Sequence, residues 1–237
     1  MDQPAPLGVE VPGWVPPPRP PRQALRGRWV TLDPLTADAH AAALHRANTA
    51  DPSIWTYLPY GPFPDEAAFA GWIDAVTAGA DPVFFAIRPH DQDAAGVLSY
   101  LRIQPEAGSI EIGHVCFSAA LQRTPAATEA VTLLVGWAFG AGYRRVEWKC
   151  NALNLASRRA AQRFGFSYEG VFRQQNVVKG RNRDTAWFAA IDGEWPALKS
   201  AYDRWLAPSN FDASGRQIVP LGDLTAPIRV SSDPALG

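Results

Sequence analysis

The sequence predicts a single α+β domain. Runs rich in Val, Ile and aromatic residues read as strands, helical i, i+3, i+4 stripes are interspersed among them, and proline-rich stretches fence the pattern at both ends. The chain has 237 residues, 47% of them hydrophobic and 19% charged, which is a globular composition long enough for one large domain with tails. Nine Trp residues supply large side chains for a core.

Residues 1–21 hold eight prolines, from Pro4 to Pro21, and cannot form a helix or a central strand. They read as an arm on the domain surface, anchored by Trp14 and Val15; a polyproline-type ligand for a partner is the alternative. The domain itself spans 22–207. Trp29 to Leu32 suits a first strand. Thr36 caps a helix running toward Asn48, and Asp65 starts a second, with Phe69, Trp72, Ile73 and Val76 on one face. Strands follow at Val83–Arg88, Gly96–Gln104 and Ser109–Ser118, the last two joined by a hairpin loop at Pro105–Gly108.

The spacing predicts a third helix over Pro125–Gly140, a strand at Arg145–Asn151 and a fourth helix over Leu155–Phe164. Gly165 takes the place of the left-handed residue that ends a helix. Strands near Tyr168–Val178 and Asp184–Ile191 and a helix over Trp195–Leu206 complete the domain. Residues 208–237, rich in Pro, Gly, Ser and Asp, read as a loosely held tail.

Composition also excludes function classes. The formal net charge is −1 with no Lys/Arg-rich run, which argues against nucleic acid as a partner. No signal-peptide pattern and no long apolar run is present, so a cytoplasmic protein with no membrane partner is expected. Two cysteines, Cys116 and Cys150, fit a reducing compartment. The four histidines are scattered without metal-ligand spacing, so no metal is expected. Phosphate-loop, serine-elbow and dinucleotide motifs are absent.

Two strand-to-helix turns carry candidate chemistry. The first is Gln122-Arg123-Thr124-Pro125-Ala126-Ala127-Thr128. Thr124 reads as the N-cap and Pro125 as the first helical residue, so the amides of Ala126, Ala127 and Thr128 lack intrahelical acceptors. Free N–H groups at the positive end of a helix dipole suit a pyrophosphate, and Arg123 adds charge; a well-capped helix with nothing bound is the other reading. The second is Asn154-Leu155-Ala156-Ser157, where Asn154 would be the N-cap and Ser157 the N3 residue. Both could meet a ligand or only cap the helix.

In their order along the chain, with Glu111-Ile112-Gly113 before them, Ala127-Thr128-Glu129-Ala130 continuing the first and Arg163-Phe164-Gly165-Phe166 after the second, these turns resemble the GNAT superfamily of N-acetyltransferases. The pattern is most similar to the RimJ/RimL-type branch, the ribosomal-protein N-terminal acetyltransferases. The resemblance covers about Arg26 to Leu206. It implies a mixed, mostly antiparallel sheet of about seven strands, with helices on both faces and a splayed fourth and fifth strand. It implies acetyl-CoA as acetyl donor, an amine acceptor (a small molecule or a peptide or protein N-terminus) and, by analogy, a homodimer. Backbone groups of Val115 and Phe117 would hold the pantetheine, the Val115 or Cys116 amide the oxyanion, and Asn154 the pantetheine from the other side. Gln122 and Ala127 match the family turn, whereas Pro125 replaces its first glycine and removes one amide.

Ser157 would then assist the leaving thiolate. Glu111 is the first candidate for the base, with a salt bridge at the strand start as its other reading. His114, placed by alternation with Ile110, Ile112 and Cys116, reads as a core residue. Relatives acting on ribosomal proteins often carry an acid where this chain has Asn176, which cannot act as a base. Trp55, Tyr57 and Tyr60 offer an aromatic wall for the acceptor or a plug over the core, and Asn176 closes that pocket. Two alternatives to an enzyme are an acyl-CoA sensor or scaffold with the same fold, and a partner-binding module working through the arm.

Overall fold

A computed structural model describes residues 5–237. Residues 1–4, with Pro4 of the arm, lie outside the described residues. Eight strands form one sheet: β1 (Leu25–Arg26), β2 (Val30–Pro34), β3 (Val83–Pro89), β4 (Gly96–Gln104), β5 (Ser109–Phe117), β6 (Arg145–Asn151), β7 (Ser167–Val178) and β8 (Arg181–Ile191). Their spatial order is β1-β2-β3-β4-β5-β6-β8-β7. Every neighbouring pair is antiparallel except β5–β6. The strand missing from the sequence-based count is β1, too short to show a period.

Alternation along the strands divides the core into two. Val83, Phe85 and Ile87 of β3 turn to one face. There they meet α3 (Pro125–Gly140), α4 (Leu155–Arg163), α5 (Trp195–Leu206) and α6 (Leu221–Thr225). Phe84 and Ala86 turn to the other and meet α1 (Ala37–Thr49) and α2 (Glu66–Thr77). Ala130, Val131, Leu134, Val135 and Ala138 of α3 are fully buried. Each such aliphatic side chain larger than alanine contributes about 1.5–3 kcal/mol by leaving water. Gly165 has φ +85, and a Cβ there would lie 2.4 Å from a Leu198 methyl, so both handedness and space require glycine between α4 and β7.

The C-terminal segment departs from the sequence expectation. It docks rather than trailing: Leu221 and Thr225 are fully buried, and Asp233 receives two hydrogen bonds at 2.5 Å from Arg158 of α4. A composition rich in turn formers signals irregular backbone, which here is fixed by that buried ion pair, by the buried Leu221 and by hydrogen bonds such as Arg229 Nη1 to Gln162 O at 2.7 Å and Val230 N to Ser167 Oγ at 3.0 Å. The N-terminal arm also packs on the domain. The Tyr143 hydroxyl donates to Pro18 O at 3.1 Å, and the Trp14 ring lies under the Arg144 guanidinium at 5.4 Å. Val15, expected as a second anchor, is 74% exposed. No helix among the described residues is long and apolar enough to cross a membrane.

Candidate active site

The site begins where the one parallel pair comes apart. β5 and β6 run in register from Ser109↔Arg145 to Ile112↔Trp148, and pairing stops there. The cause lies on the other edge of β5. Between Val97↔Cys116 and Ser99↔Gly113 the β4–β5 register loses a residue, and His114 takes φ +51. A bulge bends the strand that carries it, so β5 leaves β6 at this point. The edge groups of β5 beyond Gly113 and those of Lys149–Asn151 on β6 line the resulting gap.

The bulge also reverses the faces of β5, which alternation read straight through it had missed. Ile110 and Ile112 point to the α3 side, as do Val115 and Phe117, while Cys116 points to the α1–α2 side. His114 is therefore not a partner of Ile110 and Ile112. Its ring packs against Phe84 at 4.9 Å, and its Nδ1 lies 3.1 Å from the Tyr60 hydroxyl.

Backbone direction sorts the donors at the gap. Ser118 N–H donates to Ala95 O at 3.0 Å. Alternation then turns the Cys116 amide toward β4 and the Val115 and Phe117 amides toward the gap. Of the Val115 and Cys116 amides, only that of Val115 faces the gap. The Phe117 carbonyl already accepts from the exposed Gln122 Nε2 at 3.0 Å, so Gln122 ties the end of β5 to the α3 turn.

At one mouth of the gap α3 begins. Thr124 caps it with its hydroxyl, accepting from Ala127 N at 3.1 Å, and Thr124 O accepts from Thr128 N at 3.3 Å. Two of the three amides expected to be free thus have partners. The Thr128 hydroxyl faces inward and accepts from Arg163 Nη1 at 3.2 Å. Among the described residues no acceptor reaches the N–H groups of Arg123, Thr124 and Ala126. Arg123 has φ +63. A left-handed residue followed by a helix start gathers successive N–H groups into an anion-binding concavity. These partnerless N–H groups lie toward the N-terminus of the three that the sequence singles out, with only Ala126 common to both sets.

Across the gap, Asn154 Oδ1 caps α4 by accepting from Ser157 N at 3.0 Å. Ser157 Oγ accepts from Trp148 Nε1 at 2.9 Å, which leaves its O–H free to donate. Trp148 is a partner the sequence had not assigned; nothing in a strand pattern shows that an indole N–H will orient a serine on the next helix. Cys150, beside Ser157, is buried and its thiol is pushed up to about 11, so it stays protonated near neutral pH. Burial pushes Cys116 up to about 12.

The opposite side of the sheet carries charge. Glu111 is only 3% exposed, and its Oε2 meets Arg102 Nη1 at 2.7 Å and Lys149 Nζ at 2.9 Å. Both cations hold one oxygen. Oε1 has no partner among the described residues and lies beside Gly113, at the start of the gap. Burial raises the Glu111 pKa and outweighs the two cations that lower it. Burial, reinforced by Arg102 and Arg183, lowers His114 to about 4, so its imidazole is neutral.

The aromatic loop divides into two roles. Trp55 is buried against Phe63 and Phe69 at 5.4 and 6.3 Å and plugs the α1–α2 core, so it is not a free acceptor wall. Tyr57 donates to Leu153 O at 3.2 Å, and Lys179 Nζ of the β7–β8 turn donates to Trp55 O at 2.9 Å. The loop is thereby tied to the β6–α4 turn and to the β7–β8 turn. Asn176 sits opposite Arg183 in the β7–β8 register. Among the described residues no cluster of His, Cys, Asp and Glu could hold a metal ion.

A splayed parallel pair, flanked by two capped helix starts, belongs to a known architecture. The acetyltransferase (GNAT) domain family model matches residues 30–167. The chain belongs to the GNAT acetyltransferase family. A solved GCN5-related N-acetyltransferase from Brucella melitensis is 45% identical, with a TM-score of 0.89 over 91% of this chain and 100% of that one. A probable GNAT-family acetyltransferase from Chromobacterium violaceum ATCC 12472 is 48% identical, with a TM-score of 0.78 over 83% of this chain and 100% of that one. RimL, the ribosomal L7/L12 alpha-N-protein acetyltransferase, shares the fold at 21% identity, with a TM-score of 0.63 over 76% of this chain and 99% of that one. No curated protein matches the chain.

Proposed function

We propose that this GNAT protein transfers an acetyl group from acetyl-CoA to a primary amine in a ternary complex. The observation that carries the reading is the β5–β6 gap, open after Ile112↔Trp148, with partnerless amides at its α3 mouth. Those amides, of Arg123, Thr124 and Ala126, fit a pyrophosphate, and the gap-facing edge at Val115 and Phe117 fits the amides of a pantetheine arm. Asn154 Nδ2 faces the same arm from α4. When bound there, acetyl-CoA supplies the activated acyl group.

The chain's own residues do the rest. Val115 N–H offers a fixed donor to the acyl oxygen as it gains charge. The Ser157 O–H, oriented by Trp148 Nε1, donates to the departing sulfur. Glu111 accepts the proton of the entering ammonium through Oε1, directly or across one water, because Arg102 and Lys149 occupy only Oε2. Its raised pKa suits that task better than an ordinary surface carboxylate would. Neither His114, held near 4, nor Cys150, held near 11, competes for the role of base or nucleophile.

A RimJ/RimL-type activity is one functional analogy, with a peptide or protein N-terminus as one acceptor class and a small amine as the other. Calorimetry with acetyl-CoA, with NADH and ATP as controls, followed by thiol release on amine and peptide panels, tests the proposal. Selective binding with amine-dependent thiol release is the expected result. Donor binding without turnover on any amine would assign the fold to an acyl-CoA sensor, and no donor binding by folded protein would overturn the cradle.

A further inference from the structure

β8 carries a feature that acetyl transfer alone does not use. Ala186, Phe188 and Ala190 point into the α3-side core. The register with β6 is unbroken from Asn151↔Thr185 to Arg145↔Ile191. Arg183, Thr185 and Trp187 therefore share the opposite face, the one bearing Glu111 and Lys149. Each has a buried polar atom without a hydrogen-bond partner among the described residues: Arg183 Nε, Thr185 Oγ1 and Trp187 Nε1. Buried donors are ordinarily satisfied, and three in a row on one strand face are costly unless something completes them.

Their setting selects the charge of what completes them. Trp187 is fixed from both sides, stacked on Phe172 at 4.3 Å and covered by Lys149 Nζ at 3.8 Å. Arg183 makes no salt bridge among the described residues, unlike Arg102, Arg145 and Arg158, each of which has a carboxylate. The hairpin from Arg173 to Arg183 holds Arg173, Lys179, Arg181 and Arg183 and no acidic residue. Asp184, the next acid, is occupied by Gln174 N at 2.7 Å and Asn182 Nδ2 at 3.0 Å. Asn151, opposite Thr185, lies on the β6 edge of the gap, so the row flanks the acyl site one strand away.

We propose that Arg183, Thr185 and Trp187 form an acceptor subsite for a carboxylate, so that the preferred acceptor is an amine bearing a carboxylate close to the reacting nitrogen. Arg183 supplies the charge, Thr185 and Trp187 supply neutral donors, and the amine faces Glu111 and the gap. This inference deepens the acetyltransferase reading and rests on it. The carboxylate has two sources, a free amino acid or an acidic residue next to a peptide N-terminus, and the chemistry at the subsite is the same.

The test is calorimetric, in the presence of CoA, on the full-length wild type and on Arg183→Gln. Alanine is titrated against alaninamide, and alanyl-aspartyl-amide against alanyl-asparaginyl-amide; kcat and KM for the same four amines follow from thiol release. The wild type should bind a carboxylate member more tightly than its neutral mate. In Arg183→Gln that advantage should fall roughly 10–100-fold, as for loss of a buried charge-assisted hydrogen bond, with the effect in KM rather than kcat. Neutral amines should respond little to the substitution. Preference for alanine assigns the free amino acid as source, and preference for the aspartyl peptide assigns the peptide. Equal binding within both pairs, or an advantage unchanged in Arg183→Gln, overturns the subsite. Donor affinity measured on both proteins separates the two proposals: intact CoA binding without carboxylate preference sinks only the subsite, whereas absent CoA binding sinks the acetyltransferase reading. Should Arg183→Gln not fold, Arg183→Lys keeps the charge but loses the planar donor set, and a partial loss of the advantage is then the expected result.

Discussion

The two sides of the β5–β6 gap are built from different kinds of information. On the proposed donor side, the geometry comes from helix starts: Thr124 caps α3, Asn154 caps α4, and each cap acts within three residues of itself. On the proposed acceptor side, side chains from different strands and loops converge. Tyr60 meets His114, Arg102 meets Glu111, Lys149 covers Trp187, and Lys179 reaches back to Trp55. Donor recognition needs a fixed backbone shape, which local rules specify. Acceptor recognition needs a particular set of side chains, which only the tertiary register brings together.

The sharpest way to break this division is Glu111→Gln, which keeps shape and removes the proton acceptor. We expect kcat/KM to fall about 10²–10⁴-fold with acetyl-CoA affinity little changed. The sign of the pH dependence follows from the raised pKa of Glu111. Activity should decline as pH falls through a value above the ordinary carboxylate range, because the base is then protonated, and that acidic limb should disappear in the variant. A pH–rate profile in which both proteins keep the same limb would remove Glu111 from the mechanism and leave it as a structural ion pair.

The same contrast explains what was legible in the sequence. The α+β class, both helix caps, the left-handed Gly165 and the helix and most strand boundaries follow from period and capping rules. The bulge at His114 did not, because a one-residue insertion leaves no signal in composition yet switches every later side chain of β5 to the other face. The Thr128 amide reads as free from the sequence, yet it donates to Thr124 O at 3.3 Å, because the N-cap carbonyl already takes the first helical bond. The docked C-terminal segment leaves no such signal for a related reason: its hold is a set of long-range contacts, led by Arg158–Asp233 and including Arg229 to Gln162 O and Val230 N to Ser167 Oγ, in a stretch whose composition reads as a tail.

That segment yields the next largest effect. Asp233→Asn leaves the buried Arg158 guanidinium without its counter-charge, which costs about 3–5 kcal/mol in comparable pairs. Chemical denaturation should show the loss in the midpoint. If the midpoint holds, the segment behaves as the loose tail that its composition suggests.

Ser157→Ala tests whether the α4 turn belongs to the chemistry or only to the fold. Loss of the O–H should lower kcat about 10²-fold with little change in the donor KM. The substitution also strands the Trp148 indole N–H, so Trp148→Phe is the matching control: it keeps the hydroxyl and frees its orientation. A smaller fall in kcat for Trp148→Phe than for Ser157→Ala assigns the effect to the hydroxyl itself. Equal falls would mean that the pair matters only as a brace.

Arg123→Glu carries the smallest expected effect and asks the finest question about the donor side. In the proposed donor site Arg123 would contribute in two ways: its partnerless backbone N–H to the anion cradle, and its exposed side chain as positive charge at the mouth. The substitution keeps the N–H and reverses the charge. An exposed charge acts through water and salt, so the acetyl-CoA Kd should rise only about tenfold, and the difference should shrink as ionic strength increases. Arg123→Gly instead removes the side chain while easing the φ +63 backbone, and its Kd should lie between those of the other two proteins. A salt-independent loss in Arg123→Glu would mean that the substitution has distorted the turn, and the affinity would then be a property of backbone shape alone. A salt-dependent loss, with Arg123→Gly intermediate, would show that a side-chain charge supplements the backbone cradle even on the side of the gap that local capping rules describe best.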